Sequence, residues 1–241
     1  MYEPVPTLTA TSLTDPSAID GTQRNDAAQR AVLSHLTGLT AVLDQLRGEA
    51  DRLTSWSRQM AECLVGGGRV LAAGNGGSAA EAQHLTAELV GRYDGDRRPF
   101  SAIALHAETS SLTAIANDYP ADELFARQVE AHGRPGDVVV LMSTSGRSPN
   151  IVAAAERGRA AGLSVLAMTG PAPNPLAMAA DESVCIDSPW TATVQECHLV
   201  ALHLLCAAFD QAVLHERSSL GARIGERRTG GRAKRSLEAS A

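Results

Sequence analysis

Five short apolar runs, at residues 69–73, 101–105, 137–142, 164–168 and 183–186, alternate with stretches whose apolar residues recur every three or four positions. Those stretches fall at about 78–91, 108–116, 121–132, 148–161 and 191–215. No other feature constrains the fold as much. Strands separated by helices pair in parallel through crossovers rather than as hairpins, and a parallel sheet needs cover on both faces. The expected class is therefore α/β. Ligands in such sheets bind beyond the carboxyl ends of the strands. The loops after Ala73, Leu105, Met142 and Met168 are the expected site.

Ahead of the alternation, residues 25–64 carry Val32, Leu36, Leu39, Val42, Leu43, Leu46 and Leu53 at helical spacing. This predicts one long or two consecutive amphipathic helices, ended by Gly66-Gly67-Gly68. Residues 1–20 are rich in Pro, Thr, Ser and Asp without periodicity and are expected to be a disordered arm. Residues 21–215 then form one domain with N-terminal helices. Residues 216–241 hold seven basic and three acidic side chains and are expected to be a flexible, solvated tail. A weak contact with a polyanion is the alternative for that tail.

Apolar residues are 44% of the chain but aromatics only 3%, so Ala, Val, Leu and Ile must fill the core. The net charge of −6 argues against a nucleic-acid partner, because phosphate backbones attract basic faces. Cys63, Cys185, Cys197 and Cys206 show no C-x-x-C spacing and lie in apolar stretches, as reduced buried thiols do. The first residues lack a charged-then-apolar signal pattern, and no apolar run approaches the roughly 18–20 residues of a membrane span. A cytoplasmic protein without a membrane partner is expected.

The first strand-to-helix loop is Gly74-Asn75-Gly76-Gly77-Ser78. Its glycines allow close backbone approach, and a helix N-terminus offers free N–H groups to an anion. It is neither a Walker loop nor G-x-G-x-x-G, and alone it is a weak signal. Ser78-x-x-Glu81 reads as a capping box, a structural role for Glu81. The loop Ser143-Thr144-Ser145-Gly146-Arg147-Ser148 puts four hydroxyls and a glycine before Pro149, with Ser148 as the helix N-cap. Hydroxyl and amide donors at a positive helix end suit a phosphomonoester dianion better than they suit a plain Ser-capped turn.

His84 and Glu88, four apart, share one helix face. They can share a metal, although on spacing alone a surface hydrogen-bonded pair is the simpler reading. Gln195, His198 and His203 follow Trp190 on the last helix. Gln195 and His203 are about 12 Å apart along an ideal helix. They can meet one small ligand only if Gln195 lies in an unwound first turn or if different subunits contribute. His198 and Cys197 are alternative neighbours or plain core.

These segments resemble the SIS-domain sugar-phosphate isomerases, and among them the phosphoheptose isomerase family. The resemblance runs from about Arg30 to Leu214. It covers 74–78, His84 through Glu88 to Gly91-Arg92-Tyr93, Asn117-Asp118, Gly136-Asp137, 143–146 with Ser148, and Gln195-Glu196 to His203. It implies a five-stranded parallel sheet flanked by helices, and a homotetramer with active sites at subunit contacts. It further implies one Zn2+ per subunit on His84, Glu88, Gln195 and His203. Asn75, Gly76, Gly77, Glu88, Asn117, Asp118, Ser143, Thr144, Ser145, Ser148 and Gln195 match the substrate contacts. Glu88 matches the base and His203 the acid. The implied reaction converts sedoheptulose 7-phosphate to an aldoheptose 7-phosphate. A Gln zinc ligand is unusual.

Arg147 stands where the family commonly has Asn, and the loop from Gly170 to Pro175 carries three prolines. A related SIS protein is a non-catalytic regulator that binds the bacterial replication initiator, and 79–84 and 112–118 look much like it. That regulator lacks the acidic residue at the Glu88 position and the histidine at the His203 position, which favours an enzyme here. An isomerase for another sugar phosphate is the third reading, because pocket shape sets the sugar length.

Overall fold

The computed structural model describes residues 21–238. The arm expected at 1–20 lies outside them. Three helices come first: α1 (Gly21–Leu43), α2 (Gln45–Gly48) and α3 (Ala50–Val65). The expected one or two helices are thus three, divided at Asp44 and Glu49. α3 shows why such a segment folds against a sheet. Leu53, Trp56, Met60 and Leu64 recur at helical spacing and are all buried, each worth about 1.5–3 kcal/mol of apolar burial.

Strands and helices then alternate: β1 (Val70–Gly74), α4 (Gly77–Val90), β2 (Ala102–Ala104), α5 (Thr109–Asp118), α6 (Glu123–His132), β3 (Val138–Ser143), α7 (Pro149–Ala160), β4 (Ser164–Thr169), α8 (Pro175–Ala179), β5 (Glu182–Cys185) and α9 (Thr191–Glu238). All strand pairs are parallel, in the order β2-β1-β3-β4-β5. Every residue of β1 and β3 is buried, as a sheet covered on both faces requires. Side chains alternate between two cores. Val70, Ala72, Val138, Val140 and Met142 pack with residues of α3, α4 and α9. Leu71, Ala73, Val139 and Leu141 pack with residues of α6, α7 and α8.

Three expectations change. α8 was not foreseen, although Asn174-Pro175 is a helix start: the Asn174 side chain accepts from Ala177 N–H and Pro175 opens the helix. α9 does not stop near 215 but continues through Glu238, a stretch whose Arg, Ala, Glu and Leu residues are good helix formers. Finally, the 24 residues Thr191–Leu214 are long and apolar enough, by length and composition, to cross a membrane. That apolarity is explained inside the fold, because Val194, Cys197, Ala201, Leu202, Leu205, Cys206 and Phe209 are core residues.

Candidate active site

The sheet reverses direction of growth between β1 and β3, since β2 lies beyond β1 on one side and β4 beyond β3 on the other. Such a switch point opens a crevice at the carboxyl ends of the two strands. Both proposed ligand loops emerge there. Asn75 and Asn150 clasp each other across it, each amide donating to the other at 2.9 Å. Asn75, Ser148 and Asn150 line one open groove together with Ala116 and Asp122.

The turn from β1 into α4 depends on two glycines for different reasons. Gly76 has φ +55°, a region that L side chains rarely enter. Gly77 has ordinary φ, but a Cβ there would sit 2.3 Å from Gln195 Nε2. The head of α4 is therefore pressed against the Gln195 amide. The capping box does not form. Gly76 is the N-cap and no side chain caps it, so Glu81 lies two residues, about half a turn, beyond the position from which a capping box reaches back. Its carboxylate is buried instead, with Oε2 3.8 Å from His198 Nδ1.

In the second loop Ser148 is the N-cap of α7 and Pro149 its first residue, as expected, but the Ser148 hydroxyl makes no capping bond. It lies 3.3 Å from Ser143 Oγ, which accepts from Gly146 N–H. Ser145 Oγ accepts from Arg147 N–H. Thr144, Ser145 and Arg147 line a groove shared with Pro171 and with Thr191 and Val194 at the start of α9. The four hydroxyls are therefore divided: Thr144 and Ser145 face this groove with Arg147, Ser148 faces the groove of Asn75 and Asn150, and Ser143 is buried between them. Asn174, absent from the sequence reading, packs against this loop at Gly146, where a Cβ would collide with its side chain. It is 2% exposed, and its amide donates to Thr169 Oγ1.

About two turns into α4, His84 Nε2 faces His203 Nε2 of α9 at 3.0 Å and Glu88 Oε1 at 3.4 Å. Tyr93 packs against His203 with ring centroids 5.8 Å apart. Donors about 2.0–2.2 Å from a tetrahedral zinc lie about 3.3–3.6 Å from one another, so the His84–Glu88 spacing matches an edge of such a shell and the 3.0 Å between the two imidazoles is shorter than one. Two imidazoles and a carboxylate are also a chemically suitable set. Yet no trio of His, Cys, Asp or Glu among the described residues closes into a metal shell. The donor types suit zinc, but the described residues do not close a shell around one.

Gln195 does not complete it. α9 is helical from Thr191, so Gln195 is not in an unwound turn. Its amide lies at Gly77, seven residues and roughly 10 Å along α4 from His84. His198 is no competing ligand, because it is fully buried with Nε2 at Thr169 O, 3.1 Å away. Asn117 and Asp118 are exposed at the end of α5, where Asn117 donates to Asp118 at 2.7 Å, and neither bonds to the His84–His203 cluster. Asp137 is at the opposite end of the sheet, where its carboxylate accepts from Arg69 and Arg134 N–H, a purely structural role. The four thiols are free. Burial, with the charges of Glu88 and Asp210, pushes the Cys206 thiol up to about 12.

The arrangement can bind a phosphate at one end and move protons at the other. An SIS domain matches residues 35–170. A phosphoheptose isomerase from Streptomyces coelicolor is 62% identical over 80% of this chain and 82% of its own length. The chain belongs to the phosphoheptose isomerase family of SIS-domain proteins. Its members include the Thiobacillus denitrificans phosphoheptose isomerase, 43% identical over 71% of this chain and 89% of that one. In three dimensions the Neisseria gonorrhoeae phosphoheptose isomerase superposes with a TM-score of 0.71 at 36% identity, covering 76% of this chain and 99% of that one. The Francisella tularensis phosphoheptose isomerase gives 0.72 at 31% identity, covering 76% and 98%. The protein is thus an isomerase, and the regulator alternative gives way.

Proposed function

We propose that this isomerase interconverts sedoheptulose 7-phosphate and D-glycero-D-manno-heptose 7-phosphate through an enediolate, the first step of activated-heptose biosynthesis. The observation that carries the reading is the meeting of His84, Glu88 and His203 at 3.0–3.4 Å.

Ser143, Thr144, Ser145 and Ser148 hold the phosphate, and the N-terminus of α7 adds N–H donors. Asn75, Gly76, Gly77, Asn117, Asp118 and Gln195 hold the sugar. Binding energy at the phosphate positions C1 and C2 without touching them. Glu88 removes the proton from C1 of the ketose and returns it at C2. His203 exchanges the proton between the two substrate oxygens. His84, Glu88, His203 and Gln195 would hold one zinc ion per subunit, which when bound would supply Lewis-acid stabilisation of the charge developing on those oxygens.

Gln195 reaches such a shell only from another copy of the chain, which argues for a homotetramer with shared sites. Exposed Val32, Leu33 and Leu36 on α1, and Leu199, Val200 and Leu204 on α9, favour the same assembly. The free thiols fit the cytoplasm, and no nucleic-acid or membrane partner is proposed.

Purified protein incubated with sedoheptulose 7-phosphate is expected to form the aldose, to lose that activity with a chelator and to regain it with zinc. Absence of aldose would overturn the substrate, and indifference to the chelator would overturn the metal.

A further inference from the structure

Glu88 stands in the last full turn of α4, where backbone carbonyls lack intrahelical donors. A catalytic carboxylate on such a turn needs an outside support. Arg97 supplies it. Nη2 of Arg97 donates to the carbonyl of Glu88 itself at 2.6 Å, and Nη1 donates to that of Leu89 at 3.0 Å. Nε donates to Asp210 Oδ1 at 2.7 Å. The Arg97 side chain is only 8% exposed and Asp210 16%. The rings of Phe100 and Phe209 flank the guanidinium, with centroids 5.3 and 5.4 Å away.

Asp210 lies on α9, two helical turns beyond His203. One buried cation therefore ties the turn that bears the base to the helix that bears the acid. A helix end needs no such device, because water or a glycine cap satisfies its carbonyls. Burying an arginine is costly unless its N–H groups and charge are all matched. Here the fork is spent on the carbonyl of Glu88, on that of Leu89, which also accepts from Phe100 N–H, on those of Gly91 and Arg98 just beyond α4, and on one carboxylate of α9.

We propose that Arg97, locked by Asp210, is a positioning residue that fixes the Glu88 carboxylate relative to His203. This rests on the reading of Glu88 as the base. Arg97 is not in contact with the loops that hold the phosphate, so its effect falls on turnover rather than on binding.

Arg97→Lys keeps the charge, but a single ammonium cannot span Asp210 and two carbonyls as the planar fork does. Its kcat is expected to fall about 10- to 100-fold, as small misplacements of reacting groups do, with KM within twofold and far-ultraviolet circular dichroism unchanged. Asp210→Ala is expected to follow it, and Asp210→Asn, which keeps the acceptor for Nε, to lose less. Glu88→Gln is measured alongside. If Glu88→Gln is inactive while Arg97→Lys and Asp210→Ala keep wild-type kcat, positioning by Arg97 is wrong and the base stands. If Glu88→Gln keeps full activity, the base reading fails and takes the inference with it. A loss in Arg97→Lys that only tracks the unfolded fraction, or that appears in KM, assigns Arg97 a purely structural role and overturns the inference.

Discussion

Glu88 is half-buried on the inner side of α4, with His84 3.4 Å from its carboxylate. Replacing it by Gln keeps size and hydrogen bonding but removes the ability to take a proton near neutral pH. Loss of a positioned general base costs about 10²–10⁴-fold. Glu88→Gln is expected to fall in that range by coupled assay while its melting temperature stays near wild type. Zinc measured in the same sample separates loss of the base from loss of the ion. His84, Glu88 and His203 were legible as residues, because i, i+4 spacing puts His84 and Glu88 on one face. Their meeting with His203 was expected only through the family resemblance and not from spacing, since 119 positions separate His84 from its partner ring. Arg97 gave no motif at all; an arginine in a loop announces a buried clamp only once its acceptors surround it.

At the scale of elements, α4 and α9 run side by side, with Gln195 against Gly77 at one end and His203 against His84 further along. On the proposed reading, the head of α4 would double as a wall of the sugar site. A Cβ at Gly77 would strike the end of a flexible side chain, not backbone. Gly77→Ala is accordingly expected to displace the Gln195 amide, lowering kcat/KM roughly tenfold through misplacement while shifting Tm by only a few degrees. A collapse of stability in calorimetry instead would mean that the contact serves packing first. Helix periods and strand runs placed most elements within a few residues. α8 escaped because five residues carry too little periodicity, and only its Asn174-Pro175 start could have revealed it.

For the whole molecule, α1 is the element least explained by one chain. Val32, Leu33 and Leu36 are each more than half exposed. On its inner side, α1 is tied to α9 through His35 and Glu196 at 2.9 Å, next to Gln195. Exposed apolar area next to an incomplete ligand set is what a shared interface would cover. Light scattering at micromolar concentration is expected to give about four times the 25.2 kDa of one chain. Leu36→Glu is expected to shift that mass downward and to reduce activity with it. A monomeric wild-type protein with full activity would refute the shared site.

The parallel sheet, its two-sided cover and the two strand-to-helix loops at its carboxyl end followed from sequence alone. Alternating β and α periods, punctuated by Gly74–Ser78 and Ser143–Ser148, are local properties that neighbouring residues enforce on one another. Tertiary structure decided which distant side chains meet. It drew His203 to His84, left Gln195 beside Gly77, and turned Glu81 from an expected cap into a buried neighbour of His198. The reason is that helix phase and register are set by packing of α4 and α9 on the sheet and on each other. That packing is a sum over many apolar contacts, and no short stretch of sequence contains it.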